Sequence, residues 1–141
     1  MSAEDPMTTL SPHEIPVRTS QHAQMVSITR DIAERVPTGF TGMCFLFCQH
    51  TTAGLTINEN ADPDVVHDML LELDRLVPWQ NPAFKHDEGN SAAHVKATLV
   101  GADLAIPVHD GRLSLGVWQG IYFCEFDGPR QRRVLLRFQA G

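Results

Sequence analysis

Alternating apolar and polar side chains predict two short strands at residues 14–19 and 24–28. Thr29 then stands as the N-cap of a short helix running to about Val36, stopped by Pro37 and Gly39. Residues 42–49, rich in Phe and sulfur side chains, read as a buried strand, and residues 54–59 as its partner beyond a His50, Thr51, Thr52 corner. Asp62 before Pro63 marks a helix start, because the carboxylate caps free amides and proline at the first helical position gives up no hydrogen bond. Val66, Met69, Leu70, Leu73 and Leu76 recur at helical spacing up to Pro78, as expected of an amphipathic helix lying on a sheet. A further helix starts at Ser91, with Val95, Leu99 and Val100 as its core side and Gly101 as a left-handed C-cap. Beyond it the pattern is β: residues 104–109 and 112–117 flank Asp110-Gly111, a pair suited to a type I′ turn, and residues 121–126 and 133–139 flank Asp127-Gly128-Pro129. These elements predict an α+β fold, largely antiparallel, with two or three helices. Residues 1–13 carry no apolar period and read as a flexible tail before one domain at 14–141.

Composition narrows the function more than the fold. The 141 residues carry a formal charge of −6 without a basic stripe, which argues against nucleic acid, where phosphate neutralisation supplies most of the affinity. The longest apolar run, residues 43–48, is far short of the roughly twenty residues needed to cross a bilayer, and the first twenty residues lack a signal peptide's apolar stretch. Cys44 and Cys48, about 13 Å apart if on one strand, cannot bridge each other. With Cys124 they read as buried structural thiols of a cytoplasmic protein. The expected partner is a small ligand or another protein.

Several chemistries are absent by inspection: there is no P-loop, GxGxxG, GxSxG, HExxH or paired CxxC, and residues 58–69 put Pro63 where a calcium loop needs glycine. Histidine remains, with seven in the chain. His13 and His22 fall in polar surroundings and His67 lies off its helix's apolar stripe, whereas His50, His86, His94 and His109 sit at element ends or polar corners, where sites collect. Imidazoles from a strand end, a loop and a helix start suit zinc with an open position, although their spacing matches no zinc signature. The loop before Ser91 feeds a helix N-terminus that favours an anion or is simply a capped loop. Asn58-Glu59-Asn60 either orients a polar ligand or satisfies a turn. Of Arg130, Arg132, Arg133 and Arg137, Arg130 is in a turn and is the best ligand candidate, while Arg133 and Arg137 share a strand face that excludes the other two. Trp118-Gln119 offers an aromatic platform or a core Trp.

Three segments carry a family resemblance: HTTAGLTINENADPDV (50–65), HDEGNSAAHVKATLVG (86–101) and GRLSLGVWQGIYFCEFDGPRQRR (111–133). Together they resemble the YjbQ-like family. The resemblance implies an antiparallel β-sandwich with flanking helices, a homotrimer, and secondary thiamine-phosphate synthase activity, joining hydroxymethylpyrimidine diphosphate to thiazole phosphate with loss of diphosphate. Carried over by position, it implies His50, Glu59 and His94 as catalytic. Thr51, Thr52, Asn58, Asn60, Gly89, Asn90, Lys96, Trp118, Gln119 and Arg130 are implied as binding a small phosphorylated substrate. His50, His86 and His94 become ligands of a divalent metal, zinc ahead of magnesium, and Glu125 is part of the third motif. Two other readings stand beside it, a metal-dependent phosphoester hydrolase and a non-enzymatic trimer binding a small anion or metal.

Overall fold

The computed structural model describes residues 13–141, so most of the expected tail lies outside the described residues. β1 (Glu14–Arg18), β8 (Gln131–Ala140), β3 (Gly42–Cys48), β5 (Asp103–His109) and β6 (Arg112–Leu113) form a five-stranded sheet in that order. β2 (Gln24–Ser27), β7 (Gln119–Glu125) and β4 (Ala53–Glu59) form a three-stranded one. Every strand pair is antiparallel. Three helices complete the chain: α1 (Thr29–Ala33), α2 (Pro63–Leu76) and α3 (Ser91–Val100). The largely antiparallel α+β fold expected from the elements is what forms, with the sandwich that the resemblance implies.

The two sheets enclose the main core, in which Ile15, Leu46, Leu55, Ile106, Phe123 and Leu136 are buried. A second cluster, Met25, Tyr122, Cys124 and Phe126, lies on the other side of the small sheet, under α2 and α3. β7 is therefore covered on both faces and is buried from Gly120 to Glu125, as a central strand between two apolar layers must be.

Asp62 caps α2 as expected, its Oδ1 accepting from the Asp64 amide at 2.9 Å ahead of Pro63. The stripe of α2 packs only partly: Val66, Met69, Leu70 and Leu73 touch the second cluster, but Leu76 is exposed.

Four local expectations are corrected. Thr29 does not cap α1; Ile28 takes that position, and the Thr29 hydroxyl instead accepts from the Ile121 amide at 2.8 Å, tying the helix to β7. Regular helix accordingly ends at Ala33, with turns up to Val36. α3 turns Ala92, Ala93, Lys96 and Ala97 inward and leaves Val95 and Leu99 exposed. Its approach to β4 is too close for large side chains, since a Cβ on Gly54 would stand 2.5 Å from the Gly101 carbonyl oxygen. Gly101 has a positive φ of 102° but an extended ψ of 166°, so it is not a left-handed cap. The second arm of the Asp110-Gly111 hairpin is regular strand only over Arg112–Leu113, because the chain then turns, Gln119 donating its amide to the Gly116 carbonyl. The turn itself has positive φ at both residues, 47° and 80°, as a type I′ turn requires.

Candidate functional site

The β3–β4 corner, the loop into α3 and the start of β8 meet around a cleft of about 420 Å³ lined by His50, Thr51, Thr52, His86, His94 and Arg132, with Asn90 and Arg130 on its wall. Its floor is built from strand phase. Arg132 alternates with Val134 and Leu136 on the inward face of β8, so a guanidinium is carried into the space between the sheets. Glu125, in phase with Ile121 and Phe123 on β7, meets it there with no exposed surface.

The pair is fully bonded. Arg132 Nε donates to Glu125 Oε1 at 2.8 Å and Nη2 donates to Oε2, while Nη2 also reaches Thr52 Oγ1 at 2.9 Å. Glu125 accepts further bonds from the Thr19 hydroxyl at 2.9 Å and the Asp127 amide at 3.0 Å. Burial pushes the Glu125 carboxyl up, but Arg132, the Asp127 amide and the Thr19 hydroxyl together bring it below the ordinary carboxylate range. The carboxylate is thus kept ionised, and three hydrogen bonds hold the guanidinium in place.

Arg130 is held differently. Its Nε and Nη2 bond the carbonyl and carboxylate of Asp127, and its side chain is 51% exposed. Asp127 in turn accepts from Asn90 Nδ2 at 2.9 Å, which orients the Asn90 amide; Asn90 Oδ1 is buried without a partner.

His50 is half-buried, with its Nε2 accepting from the Arg133 amide at 3.1 Å. Burial lowers the imidazole's pKa, and the nearby Arg132 charge lowers it further. The rings of His86 and His94 meet edge to face, centroids 5.7 Å apart. Among the described residues no three His, Cys, Asp or Glu side chains are grouped to hold a metal ion. The chemistry of His50 also fits one poorly: Nε2 is taken by an N–H donor, and ligation through Nδ1 would put a proton on Nε2 facing that donor.

The residues implied by resemblance therefore divide. His50, Thr51, Thr52, His86, Asn90, His94 and Arg130 come together, and Gly89 stands in the adjoining loop and lines a larger groove with Trp79, Phe84 and His86. Asn58, Glu59, Asn60, Trp118 and Gln119 sit at the other end of β4 and β7, about 20 Å along an extended strand from the cleft. There Asn60 Nδ2 donates to the Gln119 carbonyl, the Tyr122 hydroxyl donates to the Glu59 carbonyl, and Trp118 is 62% exposed rather than core. Lys96 is buried and pairs with Asp74 Oδ1 at 3.3 Å, joining α3 to α2. Of the other histidines, His67 is exposed beside Asp68 and His109 is exposed at the end of β5. Sequence reasoning ranked Arg130 above Arg132; the signal for Arg132 was its phase with two core residues.

Comparison with known proteins places these features in a family. The model of the family described as "UPF0047 protein YjbQ-like" matches residues 13–141. The chain is 51% identical over 123 residues to the UPF0047 protein YugU of Bacillus subtilis, covering 86% of this chain and 93% of that one. It is 42% identical over 113 residues to the UPF0047 protein YjbQ of Salmonella typhimurium, covering 74% and 81%. The crystal structure of a YjbQ/UPF0047 family protein from Clostridium acetobutylicum superposes with a TM-score of 0.85 at 48% identity, covering 89% of this chain and 98% of that one. A conserved hypothetical protein from Thermus thermophilus superposes with the same TM-score, 0.85, at 44% identity and the same coverage of 89% and 98%.

Proposed function

The chain belongs to the YjbQ-like UPF0047 family, and from that premise we propose that its cleft binds the phosphate or diphosphate of a small molecule and supports the secondary thiamine-phosphate synthase reaction. The observation that carries this reading is Arg132, a buried guanidinium pinned by Glu125 and Thr52 at the floor of a cleft rimmed by Thr51 and three histidines. Such a group is already paid for: its desolvation is offset by Glu125, so an arriving oxyanion meets an oriented donor that needs no reorganisation. Both cleft arginines face carboxylates, Arg132 with Glu125 and Arg130 with Asp127. Net positive charge is thus small, and affinity rests on directed hydrogen bonds, in keeping with an acidic chain.

In this reaction the thiazole nitrogen forms a bond to the pyrimidine's methylene carbon while the carbon–oxygen bond to diphosphate breaks, the electron pair leaving with the diphosphate. Arg132 and the Thr51 and Thr52 hydroxyls bind the departing oxygens, and His86 and His94 stand at the same cleft wall. No step requires a nucleophilic side chain. The larger aromatic groove, which shares His86 and Glu88 with the cleft, suits the flat heterocycle. Assembly as a homotrimer is the companion proposal, supported by the apolar side chains this chain leaves exposed, Phe45 and Phe47 on β3 among them.

The test incubates purified protein with both precursors and measures thiamine phosphate and diphosphate. Equal yields of the two are expected, falling about 100-fold in Arg132→Lys, which keeps the charge beside Glu125 but loses the fork. Precursors left intact by the wild-type protein would reject the reaction.

A further inference from the structure

His50 has one nitrogen committed and one open. Nε2 accepts the Arg133 N–H at 3.1 Å, and an atom that accepts from an amide carries no proton. The ring is therefore neutral, and its single N–H is on Nδ1. Among the described residues no protein atom accepts a hydrogen bond from that nitrogen. It is also not sealed in the interior, since Glu14 Oε2 and Asn90 Oδ1 are the buried side-chain atoms without a hydrogen-bond partner among the described residues. The same reasoning leaves Arg132 Nη1 open among the described residues, because Nε and Nη2 carry the bonds to Glu125 and Thr52.

We propose that His50 is a fixed hydrogen-bond donor to a bound oxyanion, its proton kept on Nδ1 by the Arg133 amide, and that it acts neither as a metal ligand nor as a proton shuttle. The inference deepens the anion-site reading above and rests on it. The ligand atom next to His50 must thereby accept a hydrogen bond, as a phosphoryl or carboxylate oxygen does. Arg132 Nη1 and Nδ1 of His50 offer it donors from two elements, β8 and the β3–β4 corner, each anchored by a backbone or buried partner. Burial and the Arg132 charge both keep the ring neutral, as this role requires. Moving the proton to Nε2 would set two donors against each other at 3.1 Å, so the tautomer is locked as long as β8 keeps its place.

Two amide substitutions separate the ring's two nitrogens. In His50→Asn the side-chain NH₂ overlies Nδ1 and the acceptor toward Arg133 is lost. In His50→Gln the carbonyl overlies Nε2 and the donor at Nδ1 is lost. Inorganic phosphate is titrated into each full-length protein by calorimetry, with thermal unfolding followed in parallel. The Asn variant should bind phosphate about tenfold more tightly than the Gln variant, the worth of one hydrogen bond to a charged group. The Gln variant, which keeps the bond to Arg133, should be the more thermostable of the two. ¹⁵N NMR of wild-type protein should find the His50 proton on Nδ1, a readout that does not depend on either variant folding. A proton on Nε2, or Gln binding phosphate as tightly as Asn, overturns the donor role alone. Wild-type protein with no saturable phosphate binding overturns the anion-site reading and the donor role with it.

Discussion

Glu125 has no exposed surface yet remains charged, and removing that charge isolates a buried guanidinium. Glu125→Gln should therefore destabilise the fold by about 3 kcal/mol, measured by denaturant unfolding, because breaking one side of a buried pair costs far more than the pair contributes. The carboxyl's lowered pKa sets a sign. Its stabilisation is present above the unfolded carboxylate value and is lost as pH falls through the lower, folded value. His50 acts in a separate window. Its folded pKa is lowered, so below about pH 6.5 the unfolded chain takes up a proton that the native ring refuses, and stability falls as pH falls. Thermal midpoints from pH 7 to 5 should decline in the wild-type protein and flatten in His50→Gln; an identical decline in both would contradict the assignment. Burial raises Cys44 to about 11 and Cys124 to about 12, and all three cysteines are free and buried. Thiol reagents at pH 8 should then label the protein only upon unfolding, as mass spectrometry would read.

Among the elements, those whose signal is local were legible in the sequence. The Asp62-Pro63 start of α2 follows from capping chemistry alone, and Asp62→Ala should cost about 1 kcal/mol in the unfolding free energy. Apolar runs bounded by corner and turn residues likewise placed β3, β4 and β8. On α3, Val100 packs against the second cluster as expected, but Val95 and Leu99 are exposed, because close approach to Gly54 selects alanines; that distance is a tertiary fact no single segment encodes. Gly54→Ala, with its Cβ against the Gly101 carbonyl, should lower the melting temperature by more than a surface substitution would, and Asp62→Ala provides the comparison. In the same way the phase of Arg132 with Val134 and Leu136 was visible, but its meaning depended on Glu125 arriving from a strand of the other sheet.

For the whole molecule, the helices pack on the small sheet and cover β7 from its second side, while among the described residues no helix lies over the outer face of the five-stranded sheet. Phe45 and Phe47 stand there 39% and 48% exposed, next to Leu135 and Arg137 in the register of β3 with β8. On the proposal of a homotrimer, sedimentation equilibrium should return three times the chain mass of 15.7 kDa, with Phe47→Asp moving it toward a single chain. The motifs told which residue types gather at the site, but they could not tell that the third motif splits, Arg130 and Arg132 going to the cleft and Trp118 and Gln119 to the far end of β7. The most direct measurement is a phosphate titration followed by ¹H–¹⁵N NMR of the arginine and histidine side chains. Saturable shifts at Arg132 Nη1 and His50 Nδ1, with those at Trp118 unmoved, are expected; an absent response at Arg132, or one confined to the Trp118 turn, would contradict the anion-binding cleft.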